Sequence, residues 1–328
     1  MKLAEIGEFA LIAAIKEMVE EGDGVVKGIG DDVAVLMPSS GKALLLTTDL
    51  LLEGVHFGLA FIDPYRLGRK AVAVNLSDIA SCGGIPRAFL VSLAIPPDAE
   101  VAFVRSLYLG MKEQAAEFGV SLVGGDTSRG KALMLSITLI GEAEERAIIY
   151  REGASKGDVI FVTGTLGDAA LGLEMLKKGN RDGELVKRHL APTPRVREGQ
   201  EIARQGLATA MIDISDGLAA DFGHIAEASN VGGKIWLSRI PISEEYRKEV
   251  GRYSSDPYVF ALTGGEDYEL LFTSPPGQEG ALQELAKEIG VPITPIGEIV
   301  ESSQGVTVYK EDGKEYPVQA KGHDHFQG

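Results

Sequence analysis

Cysteine is nearly missing from this chain of 328 residues, where Cys82 stands alone. A single thiol closes no internal disulfide, which fits a reducing compartment. Positive charge is also short: 32 Lys plus Arg face 48 Asp plus Glu, for a formal net charge of −16. That excess of acid repels phosphate backbones and anionic headgroups, so nucleic acid and membrane surfaces are excluded as first-choice partners. No apolar run approaches the roughly 18 residues of a membrane span. Met1 to Ala10 carries Glu5 and Glu8 where a secretory signal is basic and then apolar. The expectation is a soluble, cytoplasmic protein.

What is abundant is glycine, 41 of 328 residues, against a usual share of about 7%. Many backbone turns must therefore be tight. The hydrophobic fraction of 45% is ordinary for a globular chain, and the length suits two domains. Phe9 to Val19 has the apolar spacing of an amphipathic helix, stopped by Gly22. Val33 to Leu36 and Ala43 to Thr48 read as short strands separated by Pro38 to Gly41, like a hairpin or short loop. Asp63 and Pro64 open a helix whose face carries Leu67, Ala71, Val74 and Asp78, with Gly83 and Gly84 at its end. Ala88 to Ile95 reads as a strand, Asp98 to Phe118 as a helix, Val120 to Val123 and Ala132 to Gly141 as strands. The charged stretch Glu142 to Asp158 separates the halves, giving domains 1–149 and 150–328. The second half restarts with strand Val159 to Thr163, the turn Gly164 to Gly167 and helix Asp168 to Leu176. Ala210 to Ile214 and a helix from Gly217 make another β-loop-α unit. The fold class is mixed α/β.

Six carboxylate motifs recur at the ends of apolar or small-residue runs. They are Gly28-Ile29-Gly30-Asp31-Asp32, Thr47-Thr48-Asp49, Asn75-Leu76-Ser77-Asp78, Gly124-Gly125-Asp126-Thr127, Asp213-Ile214-Ser215-Asp216-Gly217 and Gly264-Gly265-Glu266-Asp267. Any one alone reads as a turn. Together they describe a site for polyphosphate and a hard divalent cation, since short Asp side chains supply oxygen ligands and glycines let amides approach phosphate. Asp78, on an apolar helix face, needs either a bound cation or a salt bridge to Lys70 or Arg69.

Several familiar signatures are absent. Gly125 to Lys131, GDTSRGK, fits the first seven positions of a P-loop, but Ala132 replaces the hydroxyl residue and a strand-like run follows where a helix is required. The turn Gly164 to Gly167 lacks a dinucleotide GxGxxG. No serine lies in a GxSxG elbow. His323 and His325 have the spacing of a zinc pair without a nearby third ligand, which favours a surface or core role.

These blocks resemble the thiamine-monophosphate kinase family, within the aminoimidazole-ribonucleotide synthetase superfamily. The markers are the motifs above, with Thr47 to Phe57 (TTDLLLEGVHF), Gly264 to Glu269 (GGEDYE) and Gly322 to Phe326 (GHDHF), in order along nearly the whole chain. The resemblance implies a two-domain fold of the aminoimidazole-ribonucleotide synthetase type, a homodimer joined through the N-terminal sheets, and an active site in the cleft between domains. It implies that Asp32, Thr47, Thr48, Asp49, Asp78, Asp126, Asp213 and Asp216 hold several Mg²⁺ ions around ATP, with Gly125, Asp126, Arg151 and Ser215 contacting the nucleotide. It further implies that His56, Glu266 and His323 hold thiamine phosphate. The activity implied is ATP-dependent phosphorylation of thiamine monophosphate by direct in-line transfer, without a catalytic protein nucleophile. The alternatives are another ATP-dependent member of the superfamily, such as a selenophosphate-synthetase-like enzyme, or a non-catalytic nucleotide-binding regulator.

Overall fold

The computed structural model describes residues 14–19, 25–27, 35–36 and 38–318. Asp32 with the Gly28 to Asp32 motif, and His323 and His325 with the Gly322 to Phe326 motif, lie outside the described residues. So does most of the expected first helix, of which 14–16 is helical. The chain divides into two compact units, Met1–Ile79 with Gly84–Arg146, and Ala80–Gly83 with Ala147–Gly328. No helix among the described residues is long and apolar enough to cross a membrane.

In the first unit β1 (Val25–Lys27) pairs antiparallel with β2 (Val35–Leu36). The main sheet has four strands in the order β3 (Lys42–Leu52), β6 (Met134–Glu144), β4 (Ile85–Ile95) and β5 (Ser121–Arg129). Among the described residues Val35–Leu36 pairs with β1 and not with the run at 43–48, so of the expected hairpin or short loop it is not the hairpin that is seen. Instead β3 pairs with β6 from Lys42 opposite Glu144 to Leu52 opposite Met134, a ladder far longer than β2 could offer. The charged separator also starts later than its composition suggests. Glu142 lies inside β6 and is buried, accepting the Ser39 N–H at 2.8 Å and pairing with Arg87 at 3.2 Å.

Alternation along β3 and β6 sets the two faces of this sheet. Leu51, Leu135, Ile137 and Leu139 are buried on one face, whereas Leu44, Leu46 and Leu50 are 51%, 67% and 45% exposed on the other. Helix α1 (Pro64–Ser81) covers the first face and α2 (Val101–Ala116) packs on it. Asp63 caps α1 by accepting the Arg66 N–H at 2.8 Å, as expected of Asp before Pro. The two helices touch backbone to backbone. A Cβ at Gly68 would lie 2.0 Å from the Leu107 carbonyl oxygen, and one at Gly110 would lie 1.9 Å from that of Tyr65.

The second unit is a seven-stranded sheet in the order β13 (Glu315–Tyr316), β12 (Val306–Tyr309), β9 (Val231–Trp236), β11 (Ile293–Glu301), β7 (Val159–Thr163), β10 (Leu270–Ser274) and β8 (Ala210–Asp213). Its pairings are antiparallel except β12 with β9. One face buries Ile160, Val162, Ile212, Leu271 and Ile296 against Phe222 and Ile225 of helix α6 (Leu218–Ser229). Between β7 and α6 the chain forms α3 (Asp168–Lys177), α4 (Glu184–Leu190) and α5 (Val196–Arg204). On the other face Phe161 and Phe272 stack with ring centroids 5.4 Å apart. Because β10 runs against both β7 and β8, the ends of β7 and β8 and the start of β10 share one sheet edge. Three sequence motifs meet there.

Candidate functional site

In the first unit, β3 and α1 bring together two of the predicted motifs. Thr47 and Asp49 are two residues apart on β3, hence on the same face, and Asn75 and Asp78 are three apart on α1, hence on one helical stripe. The Thr47 hydroxyl donates a hydrogen bond to Asp78 Oδ2, and the Asp49 N–H donates to Asn75 Oδ1 at 3.1 Å. Asn75 Nδ2 in turn donates to the Ala71 carbonyl at 3.0 Å, which fixes the amide orientation. Arg69, one of the salt-bridge partners considered for Asp78, is engaged by Glu117 at 2.6 Å. Burial, and then the charge of Asp78, push the Asp49 carboxyl from 3.8 up to about 7. Thr47, Asp49 and Asp78 offer hard oxygen donors of the kind a divalent cation takes. Thr48 differs. Its side chain projects to the opposite, exposed face, where its hydroxyl donates to the Ile137 carbonyl at 3.0 Å.

Asp126 is exposed on β5, opposite Ser92 of β4, with the Ser128 hydroxyl 3.4 Å away. The segment GDTSRGK is therefore β-strand through Arg129, which confirms on structural grounds that it is no P-loop. Gly125 has φ +158°, and a Cβ there would come within 2.0 Å of the Val91 carbonyl oxygen, so the close strand approach requires glycine. Behind it, buried Tyr108 of α2 is hydrogen-bonded to Thr127, and burial pushes its hydroxyl pKa up. In the turn after β3, His56 Nδ1 accepts the Leu52 N–H at 3.0 Å. A neutral imidazole bonded this way carries its proton on Nε2.

In the second unit, Asp213 ends β8 and is buried, while Ser215 and Asp216 follow in the turn before α6. The 264–269 segment is laced to that turn. Glu266 N–H donates to the Ser215 carbonyl at 2.8 Å, Tyr268 N–H to that of Ile214 at 2.8 Å, and Ile214 N–H to that of Glu269 at 2.8 Å. Glu266 and Tyr268 both have left-handed backbones, φ +69° and +51°, a conformation that surrounding contacts must enforce in residues other than glycine. Asp267 accepts the N–H groups of Gly167 at 2.6 Å and Ala169 at 3.3 Å, so it also ties the 164–167 turn and the start of α3 to this edge. Glu269 is buried in a bidentate pair with Arg195 and accepts the Thr163 hydroxyl at 2.6 Å. Arg151 is exposed, its carbonyl accepting the Ser229 hydroxyl at 3.3 Å.

Of the expected residues, the first unit thus gathers Thr47, Asp49 and Asp78, and the second gathers Asp213, Ser215, Asp216 and Glu266. Sequence reasoning gave no role to Tyr108, to Asp221 or to His189, whose Nδ1 lies 2.9 Å from Glu266 Oε2, and Asn75 entered it only as the first residue of the Asp78 motif. Asn75 was legible from its three-residue offset to Asp78. Asp221 Oδ2 accepts the N–H groups of Asp216 and Gly217 at 3.1 and 3.0 Å, and burial followed by the Asp216 charge pushes it up to about 7. Its place four residues after Gly217 was the available signal. Tyr108 and His189 sit on helices whose partners are distant in sequence, so no local pattern marks them.

Comparison with known proteins agrees with this layout. The model of the AIR synthase related protein N-terminal domain matches residues 30–143, and that of the C-terminal domain matches 155–310. A thiamine-monophosphate kinase of Aquifex aeolicus is 42% identical over 333 residues, covering 99% of this chain and all of that one. A crystal structure of thiamine-monophosphate kinase from Stenotrophomonas maltophilia K279a superposes with TM-score 0.84 at 39% identity, covering 95% of this chain and 98% of that one. A structure of AaThiL complexed with AMPPCP and TMP gives TM-score 0.77 at 41% identity, covering 99% of both chains. The chain therefore belongs to the thiamine-monophosphate kinase family of AIR synthase related proteins.

Proposed function

We propose that this protein transfers the γ-phosphoryl group of ATP to thiamine monophosphate, forming thiamine diphosphate. The observation that carries the reading is its likeness, over 99% of both chains, to a relative complexed with AMPPCP and TMP. The crowded Asp49–Asp78 pair supports it from the chain's own chemistry.

Residues 1–149 are read as the ATP-binding, Mg²⁺-binding and dimerising domain, and 150–328 as an α/β domain with its own share of substrate-binding residues. Asp49, Asp78 and Thr47 would hold Mg²⁺, with Asp126, Asp213, Asp216 and Asp32 read as further carboxylate ligands; the expected Thr48 is dropped from the set, because its side chain lies on the opposite face of β3 from Thr47 and Asp49. Bound Mg²⁺ would neutralise charge on the polyphosphate. Gly125, where a strand approaches without a Cβ between, together with Arg151 and Ser215, is read as contacting the nucleotide. His56 and the Glu266 carboxylate are read as acceptor contacts, as is His323, which lies outside the described residues. The acceptor phosphate is already ionised and needs no strong protein base, so the chain's residues act by binding and alignment, and transfer is direct. The apolar outer face of β3 and β6, with Leu44, Leu46 and Leu50 exposed, supports pairing of two copies through this sheet. The cell compartment in this reading is the cytoplasm.

Purified protein given ATP, Mg²⁺ and thiamine monophosphate should form thiamine diphosphate, and Asp49→Asn or Asp126→Asn should remove most of that activity. Turnover with another phosphate or carboxamide acceptor in its place would favour a different superfamily reaction. Nucleotide binding without turnover on any acceptor would favour the regulator. With γ-labelled ATP and no acceptor, the protein should stay unlabelled; a phosphoenzyme that passes its label to thiamine phosphate would overturn direct transfer.

A further inference from the structure

His189 is buried in the last turn of α4, with 3% of its side chain exposed, and its Nδ1 lies 2.9 Å from Glu266 Oε2. Glu266 is a quarter exposed, so its carboxylate meets both protein and solvent. Its backbone is left-handed and held at its N–H by the Ser215 carbonyl, and the next residue, Asp267, is anchored by two N–H groups. The main chain of Glu266 is thus fixed, while its three side-chain torsions are set by what the carboxylate touches. His189 is one such contact.

We infer that His189 is a positioning residue for the phosphate acceptor: it engages Glu266 Oε2 and thereby fixes the carboxylate that receives a donor or cationic group of the acceptor at Oε1. The inference rests on the reading of Glu266 as an acceptor contact. His189 itself touches no substrate in this scheme. The 2.9 Å approach is a close polar contact without hydrogen-bond alignment, and because a carboxylate offers only acceptors, a neutral imidazole that donates to it carries its proton on Nδ1. Imidazole suits the task better than a guanidinium. It orients the carboxylate without permanently cancelling its charge, which stays available to a cationic acceptor such as a thiazolium. The neighbouring cations are occupied elsewhere: Arg195 forms the bidentate pair with Glu269, and Arg188 lies 4.0 Å from that same carboxylate.

The test compares His189→Leu, His189→Asn and Glu266→Gln in the full chain, with steady-state kinetics for both substrates and a crystal structure of the Leu variant. His189→Leu should raise the KM for thiamine monophosphate about tenfold or more, by analogy with the loss of orienting groups behind other ligands. The KM for ATP and kcat should stay within about threefold, as expected when only the acceptor contact is affected. Asparagine places an amide N–H close to the position of Nδ1, so His189→Asn should recover most of the acceptor affinity. A purely structural role predicts no such recovery and no split between the two substrates. The Leu and Gln changes should be non-additive in the double variant, because both act through one carboxylate. If acceptor and ATP KM values rise together in His189→Leu, or if the Glu266 carboxylate is unmoved in its crystal structure, the positioning role is overturned. If Glu266→Gln leaves the acceptor KM unchanged, what fails is the reading of Glu266, and the displaced carboxylate in the Leu variant still reports the structural coupling.

Discussion

Replacing Asp49 by Asn should stabilise the cation-free protein, and by an amount that grows with pH. Burial and Asp78 raise the Asp49 carboxyl from 3.8 to about 7 in the folded chain. Below pH 3.8 the group is protonated in both folded and unfolded states and adds no pH dependence. Between pH 3.8 and 7 the unfolded chain releases the proton while the folded chain retains it, so wild-type stability falls as pH rises and then levels off. At about 1.4 kcal/mol per pH unit the full interval corresponds to about 4 kcal/mol. Solvent at this partly exposed carboxylate screens the effect to about 2 kcal/mol. Asp49→Asn removes that loss, so the variant should equal the wild type within about 0.5 kcal/mol near pH 4 and exceed it by about 2 kcal/mol at pH 8. Asp221, also pushed up to about 7, titrates in the same window but is common to both proteins, so it cancels in the difference. Urea unfolding in EDTA at pH 4, 6 and 8 measures this directly. Adding Mg²⁺ at pH 8 should then stabilise the wild type more than the variant, because only the wild type keeps the paired carboxylates for the ion. A difference independent of pH, or a variant weaker than wild type at pH 8, would refute the account of Asp49.

Three further outcomes follow from the packing. Gly110→Ala should destabilise by about 2 kcal/mol or more in thermal unfolding, because its methyl carbon would enter the Tyr65 carbonyl contact between α1 and α2. Arg195→Met should cost about 3 kcal/mol by removing the bidentate partner of buried Glu269 and leaving it only the Thr163 hydroxyl and Arg188 at 4.0 Å, whereas Arg195→Met with Glu269→Met should cost much less, a comparison made by denaturant melts. If two copies pair through this sheet as proposed, Leu46→Asp on the exposed face of β3 should leave the far-UV spectrum intact and lower the sedimentation coefficient relative to the wild type; an unchanged coefficient would exclude this face as the pairing surface.

Local sequence determined much of this protein. Asp63-Pro64 sets the start of α1, the apolar spacing of Leu67, Ala71 and Val74 sets its buried face, and the missing hydroxyl at Ala132 by itself rules out a P-loop, in agreement with the strand at Ser121–Arg129. These features depend on neighbours within about one turn or one strand, where propensity and periodicity act. Long-range pairing was not legible in the same way. The run at 43–48 looked ready to fold back on 33–36, but its partner is β6, some ninety residues later, because an eleven-residue ladder outweighs a short local one. The same holds for the site. Asp49 and Asp78 each appeared as a ligand on its own motif, yet only the docking of α1 on β3 made them a coupled pair with one carboxyl raised to about 7. His189 carried no local signal at all, since its meaning lies in a carboxylate 77 positions away that the folding of β7, β8 and β10 brings to 2.9 Å. Sequence chose the residue types and their local shapes, and tertiary structure decided which charges must share a space, because electrostatic coupling depends on separation in space and on burial, neither of which is fixed by order along the chain.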